Sequence, residues 1–145
     1  MVPINYLAIL LCGIVSMVLG FVWYGPLFGK KWMHLMGISH DEMERAKSDP
    51  AMKAHMYRSY ALMFVGSIVM AFVLAHALIF ASKYLGVSGL TAGLQAGFWN
   101  WIGFIAPVTL GSVLWEKKPW MLWVLNNAYY LVLLLAMGII LATWQ

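Results

Sequence analysis

Charge is what this chain has least of. Charged residues make up 10% of its 145 residues, against 63% hydrophobic ones. Soluble domains carry roughly 25% charged residues, so the chain cannot cover a water-facing surface. It has a single cysteine, Cys12, inside the first apolar run, which excludes a disulfide framework and a thiolate metal site. Acidic residues number five, and no pair of them falls in an apolar run. That removes the carboxylate pair of general acid–base chemistry and weakens the case for an ion-coupled pump. No Ser-His-Asp set and no phosphate-binding glycine motif beside a strand is present. An enzyme is therefore not expected, nor a cofactor, nor a metal. The net charge of +4 does not point to nucleic acid either, because the basic residues flank apolar runs instead of forming a soluble patch.

Long hydrophobic runs are what the chain has. At about 20 apolar residues per membrane crossing, four spans and one longer loop use up the length. The expectation is an all-α integral membrane protein, one domain over residues 1–145, with spans near 4–24, 57–83, 89–114 and 120–143. The first twenty residues lack the positive n-region of a signal peptide, so they read as a retained first span. In that span Ser16 and Gly20 give a small-residue face. Trp23 and Tyr24 read as interfacial anchors, and Gly25-Pro26 as the stop. The following basic and aromatic stretch, Leu27 to Gly37, reads as an amphipathic segment lying on the cytoplasmic face.

Ser39 and Glu42 have capping-box spacing, and Asp49-Pro50 is a second helix start. From Pro50 no breaker appears before Gly86. Such a helix is about 50 Å long, more than a bilayer core of about 30 Å requires, so it should begin outside the membrane. Ser67, Ala71 and Ala75 make a small face on it, with His76 on the other side between Phe72 and Phe80.

The third span carries the densest pattern. At about 100° per residue, Gly89, Gly93, Ala96, Gly97, Asn100, Gly103, Pro107 and Gly111 fall on one stripe. Small residues four apart allow close helix approach in lipid, so this stripe is the expected packing face. Asn100, flanked by Trp99 and Trp101, is either a helix-to-helix hydrogen bond or a polar point in a cavity. In the fourth span Trp123, Asn126, Asn127 and Tyr130 form a polar and aromatic patch with the same two readings. His76 is a candidate proton site as an intramembrane ionisable residue, although Lys83 two turns away discourages its protonation. His40 and Glu44 are four apart, but no second pair supports a metal there.

Basic residues decide orientation. Lys30, Lys31, Arg45, Lys47, Lys53 and Arg58 lie in or beside the first loop, Lys117 and Lys118 in the third, and only Lys83 beside the second. Positive residues stay cytoplasmic, which predicts loops 1–2 and 3–4 inside and both chain ends outside. A partial echo joins Gly20-Phe21, Pro26 and Lys30-Lys31-Trp32-Met33 to Gly103-Phe104, Pro107 and Lys117-Lys118-Pro119-Trp120-Met121. It reads either as a duplicated helix pair or as the shared chemistry of inward helix ends.

Two stretches carry a family resemblance. Trp23-Tyr24-Gly25-Pro26-Leu27-Phe28-Gly29-Lys30-Lys31-Trp32, with Gly37-Ile38-Ser39, resembles the opening signature of a bacterial membrane family catalogued as domain of unknown function 1761. Trp101 to Val108, then Gly111-Ser112, Lys118-Pro119-Trp120, Asn126, Tyr129 and Tyr130, resembles its second signature. Gly25 departs from a position that is often serine. The resemblance spans nearly the whole chain and implies a small four-span protein of the inner membrane, with no established activity or catalytic residue. Two function classes follow. One is a non-catalytic membrane protein that binds a lipid or small apolar molecule between helices, with a structural role as a homo-oligomer. The other is a small transporter or pore, which a continuous line of Asn100, Asn126 and Asn127 would favour.

Overall fold

The computed structural model describes residues 4–144; the outermost ends of the expected 1–145 domain lie outside the described residues. Helices make up the fold, with no strand among the described residues. Helix α1 (Tyr6–Val22) starts at Asn5, whose side-chain oxygen accepts from the amides of Leu7 and Ala8 at 3.0 and 3.2 Å. Such a cap satisfies donors that the first turn leaves unpaired. The Asn5 side-chain amide also donates to the carbonyl of Trp144 at 3.0 Å, tying the start of α1 to the end of the last helix.

The two loop helices begin where the sequence signals place them. Ser39 and Glu42 form a reciprocal capping box on α3 (His40–Ser48), and Asp49 caps α4 (Pro50–Leu85) with Pro50 in the first turn. Before them, α2 (Gly29–Met36) ends at Gly37, where φ is 71°, a left-handed conformation open to a residue without Cβ. The third span opens with α5 (Gly89–Asn100) and continues through two short helices, α6 (Ala106–Thr109) and α7 (Gly111–Leu114). Helix α8 (Trp120–Thr143) closes the chain.

Helices α4 and α8 form the central pair, and α1 and α5 each touch both. Leu74, Leu78, Leu133 and Met137 fill the middle. The tightest seam lies between α5 and α8. A Cβ added to Gly93 would run into the backbone of Gly138, one on Gly138 would meet the carbonyl of Gly93, and one on Gly97 would come to 2.5 Å from the carbonyl oxygen of Leu134. Backbones this close gain dispersion that larger side chains would forfeit. Between α1 and α4 the contact is polar at its centre: the buried hydroxyls of Ser16 and Ser67 lie 2.7 Å apart. Ser67 donates to the carbonyl of Met63 at 2.9 Å, which leaves Ser16 as the donor in the pair. Ala71 and Ala75 continue that face and are buried.

Two π turns interrupt the regular helices, Trp23–Leu27 and Trp101–Ile105. In each, the tryptophan carbonyl accepts from the amide five residues ahead, Phe28 in the first and Ala106 in the second. In each, a glycine stands two residues after the tryptophan, Gly25 or Gly103. Prolines account for the location. Pro26 lies inside the first turn and Pro107 two residues beyond the second, and each lacks the N–H that an α-helix would use. A wider turn relieves the proline ring.

These turns correct two expectations. The first span does not stop at Gly25-Pro26; its helical path runs on to Leu27. In the third span, a π turn inserts a residue and rotates everything after it by about 100°. The small stripe therefore holds at Gly93, Ala96 and Gly97 and then slips. Ala106 is buried in place of Pro107, while Gly103 and Pro107 are exposed and Gly111 is only half-buried; Gly89, ahead of the turn at the start of α5, is exposed as well. Gly89 and Gly103 have open space where a Cβ would go.

Candidate functional site

The two π turns converge on neighbouring residues of α8. From the first, the Tyr24 hydroxyl donates to the side-chain oxygen of Asn126 at 3.0 Å. From the second, the Trp101 indole N–H donates to the backbone carbonyl of Asn127 at 2.9 Å. Trp23 and Tyr24 are thus not outward anchors. Trp23 packs on Phe28 and Tyr129, with ring centroids 4.8 and 6.1 Å away. Tyr24 packs on Tyr129 and Trp32. Tyr129 reaches on to the Ser16 carbonyl at 3.3 Å, so α8 gathers both π turns.

Asn127 is buried, 2% exposed, and its amide nitrogen has two acceptors: Thr109 Oγ1 at 2.9 Å and the Trp123 carbonyl at 3.0 Å. The Thr109 hydroxyl has one hydrogen, and its shortest acceptor is the Ile105 carbonyl at 2.8 Å. This places Thr109 as the hinge between the second π turn and α8. An amide buried in hydrocarbon costs several kcal/mol without partners; here it has them.

Asn126 differs. Its oxygen is taken by Tyr24, while its NH₂ has no acceptor among the described residues. It faces a cleft of about 460 Å³ between the α6–α7 stretch and α8. Thr109, Ser112, Trp115 and Glu116 line one wall, and Trp123, Asn126, Asn127 and Tyr130 the other. Trp123, Asn126, Asn127 and Tyr130 share a face because their spacings of three, four and seven match helical turns. The indole N–H of Trp123 is buried without an acceptor among the described residues, as is that of Trp23 in the first π turn. Leaving such a donor unpaired costs about 1–3 kcal/mol.

Asn100 lies elsewhere. Its amide donates to the Ala96 carbonyl one turn back at 2.8 Å, and it borders a separate groove of about 380 Å³ with Gly66, Met70, Val73 and Phe104. Neither neighbouring tryptophan lines this groove: Trp99 is 66% exposed and Trp101 is bonded to α8. The expected Trp99–Asn100–Trp101 cluster is therefore not a single site, and Asn100 does not share a cleft with Asn126 and Asn127. His76 bonds through Nδ1 to the Phe72 carbonyl at 2.8 Å and packs on the Phe72 ring at 4.4 Å, a local arrangement that draws in no second titratable group. In the loop, Glu44 pairs with Lys47 at 2.8 Å, and no three His, Cys, Asp or Glu side chains come together among the described residues.

Sequence reasoning missed Thr109, Ser112, Trp115 and Glu116. The readable signal was the recurrence of Trp-x-Gly ahead of a proline at both turns, which marks where a uniform helical count loses register.

Four helices are long and apolar enough to cross a membrane, and their outward surface carries large apolar side chains such as Leu10, Phe21, Val65, Phe80 and Val108. This defines a multi-pass α-helical membrane protein. The chain belongs to the family described as Protein of unknown function (DUF1761), whose sequence model matches residues 7–142. No curated protein and no solved structure matches it.

Proposed function

We propose that this protein is a non-catalytic component of the bacterial inner membrane that binds a lipid or a small amphiphile between its helices, in the cleft closed by α8. The observation that carries this reading is the unspent donor of Asn126 in a cleft of about 460 Å³ with aromatic walls. Binding sites of this kind are concave, mostly apolar and fitted with a few placed polar groups. By the distribution of lysine and arginine, the cleft opens at the cytoplasmic end, α2 and α3 lie on that side, and both chain ends are outside.

The second reading, a transporter or pore, has less support. The three asparagines do not form a line. Among the described residues, a cavity of about 20 Å³ at the opposite end of the bundle is bordered by Asn5, Ala8, Leu78 and Trp144, roughly the room of one water. A binder open at one end fits this better than a passage.

Homo-oligomerisation belongs to the proposal with a changed basis. The small faces at Ser67–Ala75 and Gly93–Gly97 are used up within one chain. A second copy would instead meet the Asn100 groove, where Gly66 leaves open space. Native mass spectrometry of protein released from its own membrane in mild detergent tests both parts. The expected result is a defined oligomer with a discrete extra mass that Asn126→Leu removes. A bare protein, unchanged by that substitution, would contradict ligand binding, and a bare monomer would contradict both parts.

A further inference from the structure

The nature of the ligand can be read from what the cleft leaves unspent. Among the acidic residues, Glu42 is engaged with Ser39 in a cap, Glu44 with Lys47, and Asp49 with the amide of Ala51, while Asp41 lies in the first turn of α3, away from the cleft. Glu116 has no hydrogen bond and no ion pair among the described residues, although Lys117 and Lys118 follow it directly. It is the acid that lines the cleft, and the two lysines lie outside the lining. Trp115 lines the same wall as Glu116, and Trp123 lines the wall across the cleft. A carboxylate next to indoles attracts an organic ammonium group through charge and through the ring quadrupole. Lysines just outside that pocket attract phosphate.

Deeper in, the free groups change character. Tyr130 lies seven residues beyond Trp123 on the same face of α8, about 10 Å further along the axis. There the cleft is lined by Asn126, whose NH₂ has no acceptor among the described residues, and by Tyr130, side chains that can donate to an ester carbonyl. From its mouth inward the cleft therefore presents sites for cation and anion together, then hydrogen-bond donors, then apolar surface.

We propose that the cleft takes an amine-bearing phospholipid, with its ammonium against Glu116, Trp115 and Trp123, its phosphate toward Lys117 and Lys118, and its ester region beside Asn126 and Tyr130. The assignment rests on the binding role proposed above and names its substrate class. An anionic lipid without an amine would set its phosphate near an unpaired carboxylate, and a simple amphiphilic amine would leave the lysines unused.

The test uses the full chain in neutral maltoside micelles, offered equal amounts of phosphatidylethanolamine and phosphatidylglycerol, with retained lipid read by native mass spectrometry. Wild type is expected to retain phosphatidylethanolamine over phosphatidylglycerol by about tenfold. Glu116→Gln should abolish the preference and Glu116→Lys should reverse it, while Asn126→Leu should lower retention of both lipids alike. Glu116 is exposed and without partners, so an unchanged unfolding midpoint in Glu116→Gln will confirm that the bundle is intact. Equal retention by wild type, or a preference that survives Glu116→Gln, would overturn the headgroup assignment while leaving lipid binding in place. Retention of neither lipid would overturn the assignment and the binding role together.

Discussion

The two π turns share a build and are held in opposite ways. In the first, Tyr24 reaches a side-chain oxygen on Asn126; in the second, Trp101 reaches a backbone carbonyl on Asn127. The helices leading into them differ too. Helix α1 meets α4 through paired hydroxyls, and α5 meets α8 through glycine backbones. One turn is thus fastened by groups that a substitution can remove, and the other by a carbonyl that no side-chain change on α8 can delete. The difference teaches where change is permitted. The adjustable fastening lies beside the cleft and shares Asn126 with it, while the fixed seam carries the bundle.

The contrast breaks first at the seam. Gly93→Val is expected to cost about 3 kcal/mol, because the added carbons meet the backbone of Gly138 with no room to yield. Gly13→Ala, where the added carbon would come 2.6 Å from the Cδ1 of Ile68, should cost only about 1 kcal/mol, since a side-chain end can move. Reversible unfolding in mixed micelles measures both, and equal losses would erase the distinction between the two seams. Next in size is Asn127→Leu, which removes both bonds of its amide nitrogen, to Thr109 and to the Trp123 carbonyl, and should cost about 1–2 kcal/mol. It should leave the Trp101 bond intact, visible as an unshifted indole N–H resonance.

Tyr24→Phe sharpens the comparison at the adjustable end. One interhelical hydrogen bond in a membrane contributes about 0.6 kcal/mol, so stability should fall by about that much while ligand retention changes through the freed Asn126. Gly25→Ala and Gly103→Ala have open space at both sites and should stay within about 0.5 kcal/mol of wild type. A large loss at either would mean that the π turns need glycine for more than room.

The smallest effect lies in the loop. Bonds from the backbone and hydroxyl of Ser39 hold the Glu42 carboxyl below its ordinary range. A depressed value means the cap stabilises α3 above the ordinary carboxylate range and is lost as pH falls through the lowered value. A titration of the Glu42 carboxyl resonance should show this, with no accompanying change in the spans.

Much of this fold is legible in the sequence because its causes are local. Ser39-x-x-Glu42, Asp49-Pro50 and Gly86 act within one helical turn, and Ser67, Ala71 and Ala75 keep step over a helix with no breaker. Gly93 and Gly97 are legible for the same reason. The cleft is not, because it depends on register. One extra residue at Trp101–Ile105 carries Thr109 toward α8 and moves Gly103 and Pro107 off the packing face. A count at constant angle has no means of seeing this. Tyr24 was misplaced by a different route: an aromatic residue at a helix end has the same composition whether it faces the bilayer interface or, as here, a partner 102 residues away.

The most direct test of the central claim is photo-cross-linking of the protein in its own membrane with a diazirine-bearing phospholipid, followed by mapping of the modified peptides. Labelling is expected to concentrate between residues 108 and 130, on the walls that hold Ser112, Trp123 and Asn126, and to fall when Asn126 is replaced by leucine. Labelling spread evenly over outward residues such as Leu62, Val69 and Phe80, and indifferent to that replacement, would contradict a lipid-binding cleft.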